Sequence, residues 1–373
     1  MSLKAQIIFW LVALGVVVLA MWLLGEVMTP FVAGMVLAYF LDPLADRLEE
    51  WGLPRLAATS LIMAVAVSVF IVAFVLLAPL LAQQLTQFME RAPGYVEALV
   101  RLFNDNAPPW LKDAVERTTV GNGGEAAGMA ARAAGWAASL LKSIWSGSMA
   151  LFNMLSLLII TPIVLFYMLN DWDRMVAVVD GWLPRHHADT VRAIARDMDS
   201  AMAGFIRGQG TVCLILGLFY AVALVGAGLN FGLLIGLTAG FLSFIPYVGS
   251  IVGGVMAIGT ALVQFWPDWV QVLIIAVIFG VGQFLEGNFL SPKLVGGRIG
   301  LHPVWLMFAL MAFGYLFGFI GLLMAVPVAA AIRVVAQYAL RQYMNSPLYL
   351  GEDGEDAADG EMAAGEGEHE PSS

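Results

Sequence analysis

The feature that most constrains this chain is a series of long apolar runs almost free of charge. They cover residues 7–24, 27–41, 56–81, 148–169, 211–229, 231–265, 270–289 and 304–338. A helix needs roughly 20 residues to cross about 30 Å of hydrocarbon. Lipid offers the backbone no hydrogen-bond partner, so such runs must satisfy their own amides and carbonyls as helices. Hydrophobic residues make up 60% of the 373 and charged residues 12%, against about 25% charged in a soluble domain. The expected fold class is therefore an all-α polytopic membrane protein.

Two of the runs are too long for one crossing. A helix over 231–265 or 304–338 would be about 52 Å long. The first is interrupted by Pro246 and Gly249, the second by Gly318-Phe319-Ile320-Gly321 and then Pro327. Each predicts a hairpin of two helices, spanning or re-entrant. The total is about eight membrane segments, two of them broken, with amphipathic helices outside the membrane. Four regions follow: N-terminal membrane helices over 1–81, an extramembrane amphipathic region over 82–145, a main membrane domain over 146–345 with a cytoplasmic helical loop at 170–208, and a disordered acidic tail over 346–373.

Orientation follows from the basic residues. Arg47 and Arg55, then Arg174, Arg185, Arg192, Arg196 and Arg207, then Lys293 and Arg298, and finally Arg341 fall on one side if the N-terminus is inside. That is the positive-inside pattern, and it places both termini in the cytoplasm. The run 7–24 is longer than a typical signal h-region and is followed by no convincing small-residue cleavage site, so it reads as a retained helix.

The 82–145 region then faces outward. Leu81, Leu85, Phe88 and Met89, and further on Val96, Leu99 and Phe103, recur at the steps of an amphipathic helix lying on the bilayer or on the membrane body. Val191, Ile194, Met198 and Met202 do the same inside, after a start at Asp189. Glycines at 232, 236 and 240, and at 314 and 318, allow close helix approach within a chain or between copies.

The net charge of −10 is misleading, because nine acids and no Lys or Arg lie between Glu352 and Glu370. The body is near neutral and offers no basic patch to phosphates, which removes nucleic acid as a partner. No phosphate-cradling Gly-x-x-x-x-Gly-Lys-Ser/Thr loop is present, nor a hydrolase triad or a His-Glu-x-x-His pair. Cys213 is the sole cysteine, which rules out an intrachain disulfide. The expectation is a non-enzyme with no cofactor and no metal site.

The residues that could carry chemistry are polar groups inside apolar runs. Glu286 interrupts the run 270–289, where a carboxylate is costly unless a partner, water or an ion meets it. Gln283 shares its helix face, and Asn288 lies toward the cytoplasmic end. This cluster fits the titrating centre of a proton- or cation-coupled carrier; the alternative is a structural pair with Arg207, Lys293 or Arg298. Pro246 removes a helical donor and Gly249 permits the turn that follows, which suggests a solute-lining break. Arg207, beside Gly208 and Gln209, either snorkels to head groups or turns inward to a carboxylate such as Glu286 as a gate. Transport-path candidates are thus Glu286, Gln283, Asn288, Pro246, Gly249, Arg207 and Gln209, with Gly287 permitting local rearrangement. The function expected is secondary transport of a small polar solute or cation. A channel-like conduit, or a membrane organiser that binds an envelope partner through 82–145, are the alternatives.

The ordered set Pro30-Phe31-x-x-Gly34-x-x-x-Ala38-Tyr39-x-x-x-Pro43, Arg207-Gly208-Gln209, Phe244-Ile245-Pro246-Tyr247-x-Gly249, Glu286-Gly287-Asn288-x-x-x-Pro292-Lys293 and Leu301-His302-Pro303 resembles the AI-2E family of transporters, also called PerM-like permeases. The likeness covers nearly the whole body and leaves out 108–135 and the tail. It implies an inner-membrane carrier in a lipid bilayer, about eight membrane segments, and a homo-oligomer for which a pentamer would fit. It also implies either export of the signal AI-2 or sodium/proton antiport.

Overall fold

A computed structural model describes residues 15, 25–109, 148–183, 185–295, 300–346 and 349. The first expected crossing, most of the outward region, Arg298 and the acidic tail lie outside the described residues. Among those described, every regular element is a helix. The order is α1 (Gly25–Glu50), α2 (Arg55–Asn106), α3 (Ser148–Gly181), a short 3-10 turn (Arg185–His187), α4 (Ala188–Gly226), α5 (Gly232–Leu242), α6 (Val248–Phe265), α7 (Trp269–Leu285) continuing as a π-helical stretch (Glu286–Val295), and α8 (Pro303–Met344). Six of these helices are long and apolar enough to cross a membrane. The chain is an all-α, multi-pass membrane protein.

Two helices are longer than the apolar runs that seeded them. The span that begins α2 does not end at Leu81 but continues through Pro79 and Pro93 as one 52-residue helix, about 78 Å long. The segment 82–106 is therefore an extension of a crossing and not a set of separate helices. It still lies on the membrane body: the Gln84 side-chain oxygen accepts from Leu234 N at 3.0 Å, and Phe88 meets Phe231 edge-on at 5.4 Å. Similarly, the amphipathic inner segment and the fifth crossing are a single helix, α4, with Asp189 in its first turn.

Both interrupted runs fold back on themselves. In the first, α5 and α6 are separated by residues 243–247, and Tyr247 takes a left-handed φ of 69°. At the mouth of this hairpin, Gln264 of α6 accepts from Asn230 N at 2.7 Å and donates to Gly228 O at 2.8 Å. In the second, α8 breaks at Gly318 (φ 60°, ψ −138°). Leu322 there packs where a side chain on Gly314 would stand, a contact possible only if the chain reverses. The α5 limb has 11 residues, about 16 Å of helix, and 303–317 makes about 22 Å. Each of these limbs is shorter than about 30 Å of hydrocarbon.

The two hairpins open at opposite ends of α4. Gly232, at the mouth of the first, sits on Leu224 near the C-terminus of α4, and its tip reaches Gln209. The limbs of the second start beside the N-terminal half of α4, where Arg333 and Arg341 face Asp189 and Asp197 across a cleft of about 650 Å³. Side by side in the bundle, the two hairpins touch through Phe241 and Phe319, whose rings stack at 6.4 Å.

Small residues make this packing possible. Side chains on Gly236 and Gly240 would collide with the backbone of α4 at Ala221 and Gly217. The glycine stripe thus serves contact within one chain, with backbones approaching closely enough that dispersion replaces the missing hydrophobic drive. Around it lies the main core, with Phe205, Leu216, Tyr220, Leu224, Ile235 and Ile275 at most 2% exposed.

Candidate functional site

Tyr220 organises the site. It sits in α4 one residue above the glycine contact and is 1% exposed. Its ring stacks on Phe279 of α7 at 5.0 Å, and the absence of a side chain at Gly282 leaves room for its hydroxyl. That hydroxyl donates to Phe279 O at 3.3 Å and accepts from Gln283 Nε2 at 3.2 Å. Gln283 uses the other hydrogen of the same amide nitrogen to reach Glu286 Oε2, also at 3.2 Å. A buried phenol therefore orients an amide, and the amide orients a half-buried carboxylate.

Glu286 occupies the point where α7 changes to π-helical winding. A π turn widens the helix and leaves backbone groups displaced from α register, an arrangement frequent at functional sites. Pro292 lies within the wide stretch, where its missing amide costs no α-helical bond. Across from it, Gly208 of α4 lets the backbone of Leu294 and Val295 come into direct contact.

No ion pair among the described residues reaches Glu286. Two of the three bases considered as its structural partners are engaged elsewhere. Arg207 donates from Nε to Tyr39 O at 2.7 Å and from Nη2 to Asp42 Oδ2 at 3.1 Å. It thus turns toward α1, neither to Glu286 nor simply to head groups. Lys293 lies 5.9 Å from the centroid of the Phe289 ring. Arg298 is outside the described residues.

The remaining candidates form a second group at the tip of the first hairpin. Pro246 has no amide and Tyr247 turns left-handed, so the carbonyl of Ser243 loses its helical donor. Gln209 supplies one: its Nε2 donates to Ser243 O at 2.5 Å, with Gln209 only 6% exposed. The Ser243 hydroxyl donates back to Ala239 O at 2.9 Å, and a side chain on Gly249 would strike Ser243 itself. Pro246, Gly249 and Gln209 are thereby brought together. Asn288 is not joined to Glu286: it is exposed and donates to Phe284 O of its own helix at 3.1 Å. Gly287 has open space around it.

Sequence reasoning passed over Tyr220, the π winding and a polar knot at the end of α1. In that knot Arg55 donates to Asp42 (3.0 Å), Asp46 (2.8 Å) and Glu49 (2.8 Å), and its Nε to Leu169 O at 2.8 Å. The 3- and 4-residue spacing of Asp42, Asp46 and Glu49 was the available signal. It lies beyond the apolar run 27–41, on the part of α1 that continues through Pro43 to Glu50.

Comparison with known proteins agrees with this architecture. Residues 8–341 match the AI-2E family transporter profile. The chain is 29% identical over 327 residues to YrrI of Bacillus subtilis (strain 168), named as a transport protein, covering 86% of this chain and 89% of the relative. It is 28% identical over 317 residues to PerM of Escherichia coli (strain K12), named as a permease, covering 83% and 86%. To the AI-2 transport protein TqsA of Escherichia coli (strain K12) it is 22% identical over 332 residues, covering 89% and 92%. A match across nearly the whole body makes this chain a member of the AI-2E transporter family, a multi-pass membrane protein of the permease type.

Proposed function

We propose that the protein is a secondary transporter that moves a small polar solute or a cation across the cytoplasmic membrane, with AI-2-like signal export and sodium/proton antiport as the two forms to be separated. One observation carries the reading: a half-buried carboxylate in an apolar helix, positioned by Gln283 and Tyr220 and met by no base among the described residues. A carboxylate so placed favours binding of a proton or cation, because that is what neutralises it. Gln283 orients the acid and bound water. Pro246 and Gly249 form the irregular tip of a re-entrant hairpin, Gln209 fixes that tip, and Gly287 leaves the π turn free to adjust. Asn288 contributes at the edge of the path.

Irregular backbone at membrane depth next to a polar site is the arrangement expected of alternating-access carriers. Arg47, Arg174, Arg196 and Arg341 lie at the end of the bundle where α4 begins, which supports an inside location for that end. The apolar faces of α2 and α4, where Val69, Leu76, Leu214 and Leu218 are more than half exposed, suit lipid and contacts within a homo-oligomer, with five copies as the number to test.

Reconstituted protein should be assayed for AI-2, sodium and proton flux under separately imposed gradients. Glu286→Gln is expected to abolish coupled flux while assembly stays intact; unchanged coupling in that variant rejects the role given to Glu286.

A further inference from the structure

The helices sort into two groups with separate buried cores. One, in α1 to α3, is built from Ala38, Ala45, Ile62, Leu165 and Leu169. The other is the core of α4 to α8 already described. Two joints of opposite chemistry connect them. At the far end of α2 the joint is mainly aromatic, with Phe88 and Tyr95 edge-on to Phe231 at 5.4 and 6.3 Å beside the single bond from Leu234 N to Gln84. Where α1 ends, the joint is polar and centres on one carboxylate.

Asp42 belongs to both groups at once. Its Oδ1 accepts from Arg55 Nη2 of α2 at 3.0 Å, and its Oδ2 accepts from Arg207 Nη2 of α4 at 3.1 Å. Arg207 adds a bond to Tyr39 O, and the Tyr39 hydroxyl donates to Asp199 of α4 at 2.9 Å. Residues three apart on α1 are thus matched, with alternating polarity, to residues eight apart on α4. Apolar contact is non-directional and survives a slide. Hydrogen bonds fail once their atoms separate by about an ångström. The mainly aromatic joint, tied by one hydrogen bond, can therefore act as a pivot, whereas the polar joint is held or released. A cavity of about 20 Å³ lined by Tyr39, Asp42, Leu169 and Trp172 adjoins it, room for about one water molecule.

We propose that Asp42, Arg207 and the Tyr39–Asp199 pair form a latch that closes the seam between the two helix groups at the end where α1 stops, and that the transport cycle releases it. Arg207 and Asp42 are then positioning residues acting on the seam rather than on the solute. The proposal rests on the transporter reading of Glu286, but its test needs no transported solute.

The test is thiol labelling of the full chain in inside-out vesicles with a membrane-impermeant maleimide, in a Cys213→Ser background. Phe40→Cys places the probe in the seam, where the Phe40 ring packs 3.0 Å from the position of a side chain on Gly210. Val164→Cys places a control inside the first group, against Gly34. Arg207→Gln or Asp42→Asn is expected to raise labelling at position 40 roughly three- to tenfold, the effect of losing a partly exposed charge-assisted bond. Labelling at position 164 should stay unchanged. Arg207→Lys should fall between, because one ammonium retains the charge but cannot serve Asp42 and Tyr39 O with the guanidinium's fixed fork. Labelling at position 40 that ignores all three variants overturns the latch, as does an equal rise at both positions, which would mean general loosening. Either result leaves the flux test on Glu286→Gln standing on its own.

Discussion

The two hairpins differ in what holds their tips. The first is fixed from outside: α4 lends Gln209 to the stranded carbonyl of Ser243, and Gly249 lies against Ser243 in a buried corner. The second is fixed from within. Its reversal depends on the conformational freedom of Gly318, around which a side chain would meet nothing within 4 Å, and on the limbs touching at Gly314 and Gly321. Beside it, Tyr315 is 90% exposed. Lipid offers a freed carbonyl no donor, so a break in a membrane helix is tolerated where protein or water reaches it, and at the first tip the protein supplies that donor as Gln209. The buried tip is coupled to α4, and through α4 to Tyr220 and Glu286, whereas the exposed tip is mechanically more independent.

Three substitutions should break this contrast or sharpen it, each read by thermal unfolding of purified protein and by flux per folded molecule. Gly249→Ala is expected to have the largest effect, a loss of about 3 kcal/mol, because the added methyl meets first the backbone N and Cα of Ser243, which cannot swing aside. Gln209→Ala comes next at about 2 kcal/mol, the desolvation cost of leaving a buried carbonyl without a donor. Gly318→Ala should cost between about 1 and 2 kcal/mol, all of it backbone strain at φ 60° and ψ −138°, a conformation glycine takes freely. If Gly318→Ala proves more damaging than Gln209→Ala, the ranking of the two tips is reversed and the coupling through α4 is not what distinguishes them.

Much of this contrast could be seen in the sequence, and its limits have physical causes. Both breaks were visible because proline and glycine act locally on φ and on donors. Pro246 and Gly249 marked one, and Gly318 the other. The partner of a break is a long-range fact, and nothing local shows that Gln209 lies 34 residues away from the carbonyl it serves. Glu286 was conspicuous because a carboxylate is rare in an apolar run. Its neighbour Tyr220 was not, since an aromatic there reads as one more apolar residue and its hydroxyl matters only once Gly282 lets it approach. Arg207 stood out as a charge, but its direction depended on α1 reaching past Asp42, and that required Pro43 to sit inside a helix rather than end it.

A last comparison sets the buried bond of Gln209 against a stronger-looking bond in water. Asp180 and Arg192 form a bidentate pair at 2.6 and 2.8 Å between α3 and α4. The guanidinium holds the Asp180 carboxyl below the usual carboxylate range. A depressed folded pKa gives stability that is complete above the unfolded value, about 3.9, and is lost as pH falls through the lower folded value. Asp180→Asn should therefore leave unfolding almost unchanged near neutral pH, since both side chains are well exposed and solvent offsets what they lose. Its one signature should be a flatter decline of the unfolding temperature below about pH 4 than in the unaltered protein. If this exposed pair cost more at pH 7 than Gln209→Ala, burial would not be what makes the hairpin tip depend on its single amide donor.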